Sequence, residues 1–217
     1  MRVDLSKPNK ALLSLIESYD QILPLDANLL IPTDRSLVLG KQAILDLSTY
    51  KKWWLDPLFK TFPYLAIHQA VYDEVIVKPD LARYIDGKIQ ESVLIILNDE
   101  DLNETEEALC QTVEYKIAAS TNYEPELNNK DDRGEVKSLA YIYVKDLLYF
   151  CSNDSNALRL VERAEELETN LEGLVTIKLY EIIYFLYKMK MTKIEYMRAM
   201  YKLHYWATSH EKRTNPS

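Results

Sequence analysis

Asp26, Glu74, Glu135 and Asp154 lie far apart in the chain, and each stands at or near the end of an apolar run or in the first turns of a helix beside one. Gathered in one place, such carboxylates repel one another and raise one another's pKa unless a cation neutralises them. The sequence has no Cys/His cluster, so an oxygen-only set points to Mg²⁺ or Mn²⁺ rather than zinc. An ion held this way lowers the pKa of a bound water and stabilises charge building on a phosphoryl oxygen. Phosphodiester hydrolysis uses both effects. Taken singly, each acid reads at least as well as a helix cap or turn former, because Asp and Asn favour those positions. The combination is what points to a site.

The elements that must position these acids alternate along the chain. Asn9–Tyr19 has a helical apolar stripe, and Gln21–Pro32 (QILPLDANLLIP) reads as a buried strand ending in a polar turn. Segments 36–50 and 51–62 are helical or irregular, with Trp53 and Trp54 as packing anchors. Tyr64–Ile67 is a short strand before a helix from Gln69 that carries Glu74. Val93–Leu97 is a strand, Asn103–Ala119 a helix with an acidic first turn, and Ser120–Arg133 a loop. Asp132 or a neighbour should cap a helix over Gly134–Asp146. Leu147–Ser152 is a strand, Ser155–Glu168 a helix, Leu174–Ile177 a final strand, and Tyr180–Met189 and Ile194–His210 closing helices. Strands alternating with helices imply a mostly parallel sheet covered on both faces, which binds ligands beyond the carboxyl ends of its strands. Asp26 and Asp154 follow strands at that edge, and Glu74 and Glu135 sit on helices adjoining it.

Four segments in order strengthen this reading. LDANLLIP (25–32) resembles the first motif of PIN-domain nucleases, a strand ending in Asp-x-Asn before apolar residues. AIHQAVYDEV (66–75) is similar to the second, DRGEVKSLAYIYVK (132–145) to the Gly-Glu helix of the third, and LLYFCSNDSNALRL (147–160) to the fourth. The resemblance spans roughly residues 20 to 180 and implies a Rossmann-like three-layer α/β/α sandwich, with a mostly parallel sheet of roughly four to five strands. Extra N- and C-terminal helices complete one PIN-like domain over 1–217, its helical extension covering about 180–210. By motif, Asp26, Glu74, Glu135 and Asp154 are the catalytic and metal-holding acids. Asn28 would orient Asp26 or the attacking water, and Asn153 or Asn156 would support Asp154. Asp46 is the weaker alternative to Asp26, and Asp73 and Asp131–Asp132 are near neighbours of Glu74 and Glu135.

Other residues divide between chemistry and packing. Arg133 and Arg159 flank the acids and suit either a phosphate or an ion pair within the site. His68 and His204 are the histidines to consider besides His210, and a hydrogen-bonded structural role is the commoner one for His68. Tyrosines recur at helical spacing (180, 184, 187; 201, 205), which fits a packing stripe first and base stacking second. Cys110 and Cys151 read as reduced, buried small hydrophobes, and the polar N-terminus lacks a signal peptide's pattern. The expected location is therefore cytoplasmic, with no membrane span.

The formal net charge of −8 argues against a nucleic-acid partner, but it is unevenly spread. From Lys188 to Arg213 seven basic residues face only Glu195 and Glu211, +5 locally against −13 on the remainder. That segment is either a phosphate-facing patch or the solvated face of a terminal helix. The leading expectation is a metal-dependent endoribonuclease acting on single-stranded RNA. A toxin-like role with an antitoxin partner, and oligomerisation, stay open. One rival is a catalytically silent PIN-like module that binds nucleic acid or protein. Another is a phosphoryl-accepting receiver, weakened because no lysine stands convincingly near the end of the last strand.

Overall fold

The computed structural model describes residues 9–32 and 45–205. His210, the end of the last expected helix, the basic pair at 212–213 and the first part of segment 36–50 lie outside these residues.

Helix α1 (Lys10–Glu17) starts where the Asn9 side chain accepts a hydrogen bond from Leu12 N at 2.9 Å. Strand β1 (Leu23–Pro24) is short because Pro24 has no N–H to donate and Asp26 turns the chain into a 3₁₀ turn, Ala27–Leu29. The buried carbonyl of Leu29 is taken up by Tyr50 Oη (3.0 Å) and Trp54 Nε1 (2.7 Å), both from fully buried side chains. These come from α2 (Leu47–Tyr50), which runs through a wide π turn, Lys51–Leu55, into α3 (Asp56–Thr61). Pro57, which cannot donate back along the helix, stands two residues past that turn.

Strand β2 (Leu65–His68) leads without a break into α4 (Gln69–Val75). Helix α5 (Pro79–Gln90) has no counterpart in the sequence reading. Then follow β3 (Leu94–Leu97) and α6 (Glu104–Ala118), opened by a reciprocal Asn103–Glu106 capping box. After the loop come α7 (Arg133–Val144), β4 (Tyr149–Ser152), α8 (Ser155–Glu162) and a short α9 (Ala164–Leu167), split from α8 at Arg163. Strand β5 (Val175–Lys178) and helices α10 (Leu179–Lys188) and α11 (Ile194–Tyr205) complete the described chain. Asp132 does not cap α7 with its side chain. It adopts a left-handed φ of 53° and turns its carboxylate back to Asn122.

All strand pairs are parallel: β1-β2-β3 form one sheet and β4-β5 a second. The two meet at a single parallel bridge, Leu25 with Cys151, where Asp26 N donates to Cys151 O at 2.9 Å. One continuous ladder was expected; the two-residue β1 leaves room for only this bridge. Along β4, Tyr149 and Cys151 enter a core with α1, α3, α10 and α11, while Phe150 enters a second core with α6, α7 and α8. Such alternation places helices on both faces of the strand. Both cysteines are buried free thiols. Among the described residues no helix is long and apolar enough to cross a membrane.

Candidate active site

The parallel strands set their carboxyl ends on one side, and the bridge brings the ends of β1 and β4 together there. Asp26 is buried, and its Oδ1 accepts from Ala27 N (2.7 Å). Its Oδ2 accepts from Ser152 Oγ (2.6 Å) and Asn28 Nδ2 (2.5 Å). Ser152, fully buried at the end of β4, also accepts from Asn28 Nδ2 and from Asp154 N, each at 3.0 Å. Asn28 Oδ1 in turn accepts from Asn153 N at 3.0 Å. Asn28 thus orients Asp26 and ties it to the opposite sheet. Ser152 is the hub, a residue inside the Ser-Asn-Asp motif to which the sequence reading gives no role.

Asp154 caps α8, its Oδ1 accepting from Asn156 N (2.7 Å) and Ala157 N (3.2 Å). Asn156 therefore supports it through the backbone. The side chain of Asn153 does not: it points to α11, where it meets His204 Nδ1 (3.3 Å) and accepts from Tyr205 Oη (2.5 Å).

Glu74 on α4 and Glu135 on α7 come within electrostatic reach of Asp26. Gly134 makes this approach feasible: a β-carbon there would collide with Glu74 Oε1. The electrostatics record the gathering. Burial pushes Asp26 up to about 6, opposed by the Ser152 and Ala27 hydrogen bonds and assisted by the charge of Asp154. Glu74 is pushed up to about 7 by its protein surroundings and by Asp26, against the pull of Arg133 and the Gly134 N–H. Its side chain lies at the rim and reaches water, so solvent screens part of this effect. Glu135 rises to about 8, from burial first and then repulsion by Asp26, Asp132, Asp154 and Glu74. Every one of the four acids therefore feels or exerts repulsion within the set.

The neighbouring acids are engaged elsewhere. Asp73 pairs with Arg133 Nη2 (2.6 Å) and accepts from Gln69 (2.8 Å), which makes Arg133 an intra-site ion pair in this structure, its buried Nε left without a partner. Asp132 is held by Asn122 and Asp46 caps α2. Arg159 donates to Ser120 O (3.3 Å) and, with Asn122, Asp132, Glu135 and Asn156, lines a polar cleft of about 230 Å³. His68 is buried and structural: Nδ1 accepts from Ala70 N (3.1 Å) and Nε2 pairs with Asp99 (3.0 Å). The strand-end rule that marks Asp26 also marks Asp99 after β3, whose carboxylate is taken up by His68 and Lys137. Lys178 ends β5, yet its ammonium is paired with Glu162 at 2.7 Å.

The donors fit a hard divalent ion by their chemistry, since all are carboxylate oxygens with charge not fully compensated. As the side chains stand, no group of three acids, His or Cys among the described residues is set to hold one, so Glu74 and Glu135 would have to swing inward. Comparisons with protein-family models, curated proteins and solved structures find no match.

Proposed function

We propose that this chain is a PIN-like, metal-dependent endoribonuclease that hydrolyses phosphodiester bonds in single-stranded RNA. The observation that supports this reading is that Asp26, Glu74, Glu135 and Asp154, from four separate segments, lie within electrostatic reach of one another, with pKa values of three of them raised by desolvation and repulsion. On the same reading the two sheets act as one, in the order β3-β2-β1-β4-β5, and form the Rossmann-like sandwich of a single domain.

Mg²⁺ or Mn²⁺ held by these acids would supply water activation and neutralise charge on the phosphoryl group. The chain's own part is positioning. Ser152, Asn28 and the Ala27 N–H lock the Asp26 carboxylate in one orientation, so little reorganisation is needed when substrate arrives. Glu74 and Glu135, raised by desolvation and by the neighbouring acids, would be brought to the carboxylate form by such an ion. The polar cleft with Arg159 beside Glu135 offers hydrogen-bonding groups to the adjoining nucleotide.

A second reading, a catalytically silent interaction module, draws on the caps: Asp26 and Asp154 both complete helix starts and would be kept for that alone. The deciding experiment is cleavage of single-stranded RNA by the purified protein with Mn²⁺, alongside Asp26→Asn and Asp154→Asn. Metal-dependent activity that both substitutions abolish supports the nuclease. No cleavage by any form, with no Mn²⁺ binding by calorimetry, supports the module.

A further inference from the structure

Helices α10 and α11, with the start of α1, enclose a groove of about 980 Å³ lined by four tyrosines, two basic residues, the acidic Glu181 and aliphatic side chains. Tyr180, Tyr184 and Tyr187 fall on one face of α10; Arg198, Tyr201 and Lys202 face them from α11. Buried tyrosines would make this a packing seam, but Tyr184, Tyr187 and Tyr201 are 44%, 41% and 50% exposed. Packing of α11 relies on Met200 and on Tyr196, which stacks on Trp53 at 5.2 Å, while the buried Met197 both packs in the core and lines the groove. The exposed tyrosines are therefore surplus to the core.

Two observations select its occupant. The first is charge: between residues 188 and 205 Lys188, Lys190, Lys193, Arg198 and Lys202 stand against Glu195 alone, on a chain of net charge −8. A polyanion is repelled by the rest of the molecule and attracted here. Lys188 Nζ already lies 5.2 Å from the Tyr184 ring, so cation and aromatic face are presented together. The second is continuity. Tyr180 meets Tyr205 edge-on at 5.9 Å, Tyr205 donates to Asn153, and Asn153 is the residue before Asp154. The groove wall at Tyr180 is thus linked by side-chain contacts to the loop after β4.

We propose that the α10–α11 groove is a stacking track for single-stranded RNA, its bases on Tyr184, Tyr187 and Tyr201 and its phosphates near Arg198 and Lys202, feeding the strand toward the acid site. The direction of feed rests on the nuclease reading; the binding surface does not. Bases of any identity present a π face, so the track is tolerant of sequence, and its affinity depends on salt.

The test is fluorescence anisotropy in EDTA with a labelled single-stranded oligouridylate of about twelve nucleotides, long enough to span several stacked bases. Tyr184→Ala and Tyr201→Ala should each weaken binding about tenfold, and the Tyr→Phe forms should bind as the parent does. Arg198→Glu should weaken binding and flatten its salt dependence. All are exposed positions, and an unchanged Tm excludes unfolding as the cause. RNA binding that survives both alanine substitutions, or no RNA binding by any form, overturns the track and leaves the groove as a protein-docking face. Cleavage in Mn²⁺ separates the two readings. Loss of cleavage in Asp26→Asn with RNA binding intact in the alanine variants keeps the nuclease and removes the track. Loss of binding in those variants without cleavage by any form keeps the track and removes the nuclease.

Discussion

Ser152 carries more of the acid site than its size suggests. Its hydroxyl donates to Asp26 and accepts from Asp154 N and Asn28 Nδ2, joining three partners in a buried setting. Ser152→Ala should cost about 1–3 kcal/mol in urea unfolding, because it leaves buried donors unsatisfied. It should also push Asp26 above about 6, since the Ser152 hydrogen bond is the largest influence lowering it. Gly134 is the opposite case. An alanine there is acceptable to the helix, by about 1 kcal/mol in intrinsic propensity, but its methyl takes the space of Glu74 Oε1. The displaced atom is the far end of a flexible side chain, so Gly134→Ala should leave Tm nearly unchanged. Mn²⁺ affinity measured by calorimetry should nevertheless fall, and equal affinity would show that Glu74 is not a ligand. At this scale the sequence was partly legible. Asp26 and Asn28 stand out because Asp-x-Asn after an apolar run is a local pattern. Asn153 misleads for the same reason: its neighbour Asp154 is local, but its true partners, His204 and Tyr205, are about fifty residues away.

At the scale of elements, alternation of strands and helices is readable because apolar runs such as VLIIL and LLYFC are compact and bounded by polar pairs. Helix α5 escapes because it has only Leu81 and Ile85 buried, with Gly87 and several charges diluting its stripe. The junction of the sheets is also invisible in sequence, since whether Leu25 pairs with Cys151 depends on where Pro24 ends the ladder. Helix α11 illustrates tertiary attachment: Tyr205 and His204 anchor its end to β4 through Asn153. Removing one hydrogen bond with Tyr205→Phe should cost about 1 kcal/mol, concentrated locally. Hydrogen exchange should report faster opening of α11 amides while those of β2 keep their protection; equal acceleration everywhere would mean that the anchor serves the whole fold.

For the whole molecule, three raised carboxyls set a pH dependence whose sign is definite. In the folded protein Asp26, Glu74 and Glu135 hold protons to about 6, 7 and 8, whereas their ordinary values are 3.8 and 4.5. Between those limits the folded state binds more protons than the unfolded one, so stability contributed by these groups falls as pH rises. Metal-free protein should therefore lose Tm from about pH 4.5 to 8 on account of this cluster. Saturating Mn²⁺ should reverse the loss, with a larger rise in Tm at pH 8 than at pH 5, because it binds the ionised form. A Tm insensitive to Mn²⁺ at both values would count against a metal site.

The single bridge between Leu25 and Cys151 gives these carboxylates a mechanical meaning. Asp26 belongs to one sheet and Asp154 to the other, so a divalent cation held by both would act as a rivet across the joint, beside the hydrogen bonds of Asp26 and Asn28 to Ser152 and Asn153. Linkage makes the relation mutual: whatever loosens the joint weakens the grip by the same free energy, and whatever is gripped closes the joint.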